Sequence, residues 1–272
     1  MGSAFNLGKL FGIQFRLHFT WFIIFILVTV SLVDPNYFQW LYWIIGIITS
    51  LLLFASVVAH ELAHSLVGRA NGIPIRSITL FIFGGVAQMT KEATRPGAEL
   101  KMAAAGPLCS LVIGSLFGLI WLFMPNIPQP IAIMVLWLAV MNGVLAVFNL
   151  IPGFPLDGGR VFRSLLWRFT GSYRRSTRIA TRVGQGIGCL FILGGISIIF
   201  LRPFGLSWFD GIWVVFIGWF LVSAASASYR QLRWQEVLHG FTASEATVLD
   251  CPAVPSKAKL GCNSDKIDNA PR

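Results

Sequence analysis

Two histidines four residues apart, with a glutamate beside the first, close one of the most apolar stretches of this chain. The pentad His60-Glu61-Leu62-Ala63-His64 follows residues 40–59, which are almost wholly apolar. On an α-helix, residues i and i+4 share one face. His60 and His64 can therefore offer imidazole nitrogens to one metal ion, while Glu61 projects beside them, free to act as a base. Metal-assisted hydrolysis is the chemistry that such a set performs. The plainer alternative is two interfacial histidines capping a helix, with Glu61 in solvent. Against it, two of the chain's four histidines fall in this pentad. Ionisable side chains inside membrane segments are also rare unless they are paired or functional.

A catalytic zinc ion usually takes three protein ligands and keeps one position open, so a third donor must come from elsewhere. Asp157 stands out among acidic residues set in apolar sequence. It lies in Asn149-Leu150-Ile151-Pro152-Gly153-Phe154-Pro155-Leu156-Asp157-Gly158-Gly159-Arg160. The two prolines block regular helix, and non-helical backbone at membrane depth needs protein or a water-filled cavity around it. The segment is therefore expected to fold inward. Alone, Asp157 reads as an ordinary turn aspartate before glycine; the incomplete histidine pair makes it the expected third ligand. Cys109, Cys189, Cys251 and Cys262 form no C-x-x-C pair and read as small apolar residues.

The elements that must position this set are membrane helices. Of 272 residues, 56% are hydrophobic, with 23 Phe and 10 Trp, and only 12% are charged. Six apolar segments, residues 17–33, 40–59, 102–124, 130–151, 183–201 and 212–227, are long enough to cross a bilayer. The first is read as a span and not a cleaved leader, because no small-x-small site follows it. Basic residues concentrate in alternate connectors: Lys9 and Arg16; Arg69, Arg76, Lys91, Arg95 and Lys101; residues 160–182; Arg230 and Arg233. The other connectors hold Arg202 as their one basic residue, with Asp34 and Asp210. The positive-inside rule puts the basic set, and with it both termini, in the cytoplasm. The net charge of +10 is thus shared among juxtamembrane loops, which argues against nucleic acid as a partner. Residues 72–89 mix β-branched and polar residues and are broken at Gly84-Gly85, a strand or hairpin pattern. The expected fold is an all-α polytopic protein of the cell (inner) membrane. It has six transmembrane helices and a small membrane-associated β-hairpin between the second and third.

With both motifs in place, the chain resembles the site-2 proteases, a family of intramembrane zinc metalloproteases. H-E-x-x-H stands at residues 60–64, and N-x-x-P-x-x-P-x-D-G at residues 149–158. Phe83-Gly84-Gly85-Val86 and Ala105-Gly106-Pro107 resemble further family features, and the likeness covers roughly residues 1–235. It implies one zinc ion per chain held by His60, His64 and Asp157, with Glu61 as general base. It also implies membrane-embedded protein substrates cleaved in regulated intramembrane proteolysis. Asn149, placed by the motif, is a candidate donor to the tetrahedral oxyanion; interhelical hydrogen bonding is an equal alternative for it and the expected role of Asn142. An edge at residues 78–85 could pair with an unwound substrate segment, or be a plain structural hairpin. A non-catalytic scaffold is disfavoured because His60, Glu61, His64 and Asp157 are all intact. A metal or solute transporter is disfavoured because no repeat relates the halves. Residues 236–255 resemble the opening of a cystathionine-β-synthase-type regulatory domain. Residues 236–272 are too few for a full pair of modules, so a truncated or absent module and a disordered tail are expected there. Nothing in the sequence specifies an oligomer.

Overall fold

The computed structural model describes residues 4–33, 40–81, 84–89, 93–124, 126, 128–205 and 207–238. Residues 1–232 form one compact unit and residues 233–272 a second. The segment 236–272, where a truncated or absent regulatory module is expected, lies from residue 239 onward outside the described residues. The element order is β1 (Ala4–Leu10), β2 (Ile13–His18), α1 (Thr20–Leu32), α2 (Trp40–Ala70), β3 (Ile75–Phe81), β4 (Gly84–Met89), α3 (Pro96–Phe123) and α4 (Gln129–Asn149). Then come α5 (Asp157–Thr170), α6 (Tyr173–Leu201), a 3-10 turn (Pro203–Gly205) and α7 (Trp208–Leu238).

The first correction concerns the N-terminal end. β1 and β2 form a hairpin whose two loop residues, Phe11 (φ 50°) and Gly12 (φ 76°), both take the left-handed region. Such two-residue turns match the twist of the paired strands. Ile13, Phe15 and Leu17 are buried while Gln14, Arg16 and His18 alternate with them on the other face. This period of two belongs to a strand, so Leu17 lies in β2 and the helix starts only at Thr20. At 13 residues, α1 is about 20 Å long, against a hydrocarbon core of about 30 Å.

The hairpin β3–β4 is also not isolated. It joins β1 and β2 in a four-stranded sheet of order β1-β2-β3-β4, with β2 parallel to β3 from Gln14↔Ser77 to Leu17↔Leu80. β3 is therefore interior, and of the expected edge at residues 78–85 only the part in β4 is at a sheet edge; residues 82 and 83 lie outside the described residues. Ile13, Phe15, Leu17, Ile75, Ile78 and Leu80 make one buried cluster, against which Trp21 of α1 and Val58 and Leu62 of α2 pack. The sheet is thus fastened to the helix that carries the pentad.

Five helices, α2, α3, α4, α6 and the 208–230 part of α7, are long and apolar enough to cross a membrane. Their large exposed side chains, such as Leu108, Val112 and Leu116 on α3 or Ile133 and Val140 on α4, are what a lipid-facing surface requires. α2 differs from expectation in its reach. It continues past residue 59 to Ala70 and stops at Asn71-Gly72, where Gly72 has φ 81° and Ile73 N–H donates back to the Gly68 carbonyl at 2.9 Å. The pentad therefore lies inside a helix, not at its end. α5 is a short, strongly amphipathic helix that packs on α3 and α6.

Candidate metal centre

α2 presents His60 and His64 on one buried face, one turn apart. The segment after α4 turns back and delivers Asp157 as the first residue of α5. That return is very tight: a Cβ on Gly159 would lie 2.5 Å from the Phe154 nitrogen, so only glycine fits there. Asp157 Oδ2 then lies 3.2 Å from His60 Nε2 and 3.0 Å from His64 Nε2, and the two Nε2 atoms are 3.1 Å apart. The structure thus brings together the three residues expected to be ligands. Among the described residues they are the one His, Cys, Asp and Glu group placed to hold a metal ion.

The donor chemistry fits zinc. His64 Nδ1 faces the Met102 carbonyl oxygen at 2.7 Å. A carbonyl accepts only, so Nδ1 carries the proton and Nε2 presents a lone pair. That lone pair faces a carboxylate oxygen and a second imidazole nitrogen. One proton could satisfy one of these three contacts, whereas a cation satisfies all of them. Ligands held at 2.0–2.1 Å in a tetrahedron are separated by about 3.3 Å, close to the 3.0–3.2 Å found here. His60 Nδ1 is held in turn by Ser110 Oγ at 2.9 Å, the outer-shell anchoring common to metal-ligating histidines.

α3 passes closest to the site at Gly106. A Cβ there would lie 2.6 Å from His60 Nε2 and closer still to His64 Nε2, so a side chain would fill the space that the ion needs. Glu61 faces β4. Gly85 of β4 packs against it: a Cβ there would lie 2.5 Å from Glu61 Cγ. His60, Glu61 and Asp157 open together on a cavity of about 420 Å³, walled by Trp21, Phe54 and Phe220, by the β3–β4 end and by Asn149. Asn149 is therefore at the site, but its Nδ2 donates to the Leu145 carbonyl at 3.0 Å. Asn142 is buried and donates to Ser56 Oγ at 3.3 Å, joining α4 to α2. His18 pairs with Thr20 at the end of β2 and is not in the metal group.

Sequence reasoning noted Gly106 only within Ala105-Gly106-Pro107 and missed Met102, Ser110 and Glu99. Met102, Gly106 and Ser110 recur at intervals of four on α3, with Glu99 three residues before. That spacing is a single helical stripe, and it was the available signal. Glu99, fully buried, is a third acidic residue beside apolar sequence, with Glu61 and Asp157.

Comparison with known proteins agrees with the geometry. The model of peptidase family M50 matches residues 48–135 and 126–193. The chain is 42% identical over 262 residues to a protein of Synechocystis sp. named as a zinc metalloprotease, covering 94% of this chain and 68% of that one. It is 35% identical over 254 residues to Rip3 of Mycobacterium tuberculosis, also named as a zinc metalloprotease, covering 90% of this chain and 64% of that one. It thus spans about two thirds of the length of these relatives. The solved structure of the site-2 protease from Methanocaldococcus jannaschii matches 84% of this chain and 95% of its own, with a TM-score of 0.58 and 31% identity. With a histidine pair and an aspartate converging inside a bundle of apolar helices, the chain belongs to peptidase family M50, the site-2 protease family of membrane zinc metalloproteases.

Proposed function

We propose that this protein is an intramembrane endopeptidase. It hydrolyses peptide bonds in or near transmembrane segments of other membrane proteins, in regulated intramembrane proteolysis. The observation that carries this reading is the position of Glu61. It stands beside the His60–His64–Asp157 group, inside an apolar helix, on a cavity of about 420 Å³.

His60, His64 and Asp157 hold the zinc ion, which when bound supplies Lewis acidity toward a carbonyl and toward water. Glu61 takes the proton of the attacking water and passes it to the departing amine. Gly85, with no side chain, leaves the Glu61 carboxylate room to reach the attacking water. Asn149 turns its amide from the Leu145 carbonyl toward the developing oxyanion. A transmembrane helix hides its carbonyls in internal hydrogen bonds, so the scissile segment must unwind, and the β4 edge beside Glu61 supplies backbone partners for it. An even number of crossings, six if the 13-residue α1 crosses where the bilayer is locally thinned, puts both termini on one side, and the basic connectors make that side the cytoplasmic face of the cell (inner) membrane. Residues 1–235 are the catalytic unit.

The test uses the full chain in lipid nanodiscs with a labelled single-span substrate. Cleavage should require zinc and should fall by about 10²–10⁴-fold in Glu61→Gln, with zinc content unchanged. A Glu61→Gln protein that cleaves at the wild-type rate would remove the role given to Glu61. Cleavage of soluble unfolded peptides, but of no transmembrane substrate, would overturn the substrate class.

A further inference from the structure

One buried charged cluster lies outside the catalytic set. Glu99, in the first turn of α3, is fully buried. Arg163 of α5 donates to its Oε1, and Arg160 Nε is 4.0 Å from the same atom. Arg163 is fixed further by two rings: its guanidinium carbon is 4.9 Å from the centroid of Phe154 and 4.6 Å from that of Tyr173. Both arginines lie on the helix that begins with Asp157, three and six residues further on.

The placement of these groups on α3 gives the cluster its meaning. Residues 99, 102, 106 and 110 fall on one stripe of that helix. Met102 holds the His64 ring, Ser110 holds the His60 ring, and Gly106 leaves room between them. Glu99 extends the same stripe by one turn, and the element that it grips carries the third ligand. A buried carboxylate with two guanidiniums has few alternative arrangements, because any shift of α5 would separate desolvated charges. Arg163 adds direction, since a guanidinium held between rings and a carboxylate cannot rotate freely.

We propose that Glu99 is a positioning residue for the metal centre: through Arg163 and Arg160 it sets the height and rotation of α5 and thereby carries Asp157 to His60 and His64. α3 is then the single reference against which all three ligands are aligned. The inference rests on His60, His64 and Asp157 being the zinc ligands.

The test is a double-mutant cycle read by zinc affinity, with the full chain purified in detergent and competed against a chelator. Wild-type, Glu99→Gln, Asp157→Ala and the double variant are compared as folded proteins. Cobalt(II) substitution reports ligand geometry through its visible absorption. Glu99→Gln should weaken zinc binding by about 10–100-fold, the range found when groups supporting metal ligands are removed, and should alter the cobalt bands. In the Asp157→Ala background the same substitution should change affinity less than 2-fold, because the ligand through which Glu99 acts is already gone. An equal further loss in that background, or wild-type affinity and cobalt bands in folded Glu99→Gln, would overturn the proposal. Should Glu99→Gln not fold, Arg163→Lys carries the same cycle. It keeps a cation opposite Glu99 but loses the planar fork, and unchanged affinity there would count equally against the proposal. Failure of the wild-type chain to bind zinc would overturn the site itself, and this inference with it.

Discussion

Replacing Gly106 by alanine tests the metal centre without touching any ligand. The added methyl would lie 2.6 Å from His60 Nε2 and nearer still to His64 Nε2, close to 1 Å short of the ~3.5 Å at which non-bonded heavy atoms rest. Neither ring can retreat cheaply, because His60 is tied back to Ser110 at 2.9 Å and His64 to the Met102 carbonyl at 2.7 Å. Metal–ligand distances fall within about 0.2 Å of their usual values, a window several-fold narrower than the shift the methyl demands. Loss of a supporting group alone costs about 10–100-fold in metal affinity. Here the ligands themselves are pushed aside, so a loss of about 100-fold or more is expected, equivalent to ~2.7 kcal/mol. Overpacking there costs about 1–3 kcal/mol, which alanine's better helix propensity offsets by up to ~1 kcal/mol, so the helices should be retained. The assay is zinc content after chelator competition, with helicity followed by circular dichroism. Gly97→Ala is the control: it lies on the same helix and its Cβ would meet nothing within 4 Å, so zinc binding should be unchanged. A folded Gly106→Ala protein with wild-type zinc affinity would refute the placement of the ion between the two histidines and α3.

Asn149→Ala separates catalysis from bundle packing. If Asn149 donates to the oxyanion, kcat should fall by about 10²–10³-fold with zinc content and KM unchanged, whereas a loss of thermal stability at unchanged kcat would assign it to packing. Topology is checked by impermeant thiol labelling of single cysteines introduced near Arg95, Arg174 and Asn126 after the native cysteines are replaced. The first two positions should be reached from the cytoplasmic side and the third from the opposite side, and a cytoplasmic signal at position 126 would overturn the six-crossing arrangement.

What could be read in the sequence was what is local. The spacing of His60 and His64 fixes a shared helical face whatever surrounds it, and the two prolines before Asp157 keep α4 from continuing through that segment. The early strands were obscured because two patterns overlap at residues 13–18. Arg16 and Leu17 read equally well as the flank of an apolar run and as part of an alternation. The pairing that decides between them joins β2 to β3 about sixty positions away, Gln14 with Ser77 and Leu17 with Leu80. No window along the chain contains both partners, and the open edge of the sheet could not be assigned without that pairing. The end of α2 was misplaced for a related reason. The apolar run gives out near residue 59, but the helix continues because His60 and His64 are satisfied by α3 and α5, not by solvent.

The contribution of α3 was the least visible. Gly106 and Ser110 are the small residues that any close-packed membrane helix carries, and Met102 acts through a backbone carbonyl that its side chain does not announce. Their roles exist only relative to α2 and α5. Glu99 is different, because a carboxylate beside an apolar helix is expensive to bury and must have a partner. The sequence shows that cost but not the partner, since Arg163 is 64 positions away. Ligands chosen by their own chemistry leave a signature in residue type. The groups that align them leave one only in spacing, here a run of 99, 102, 106 and 110, which becomes informative once the helix facing it is known. For a metal centre assembled from three separate segments, that alignment is what turns two histidines and an aspartate into one site.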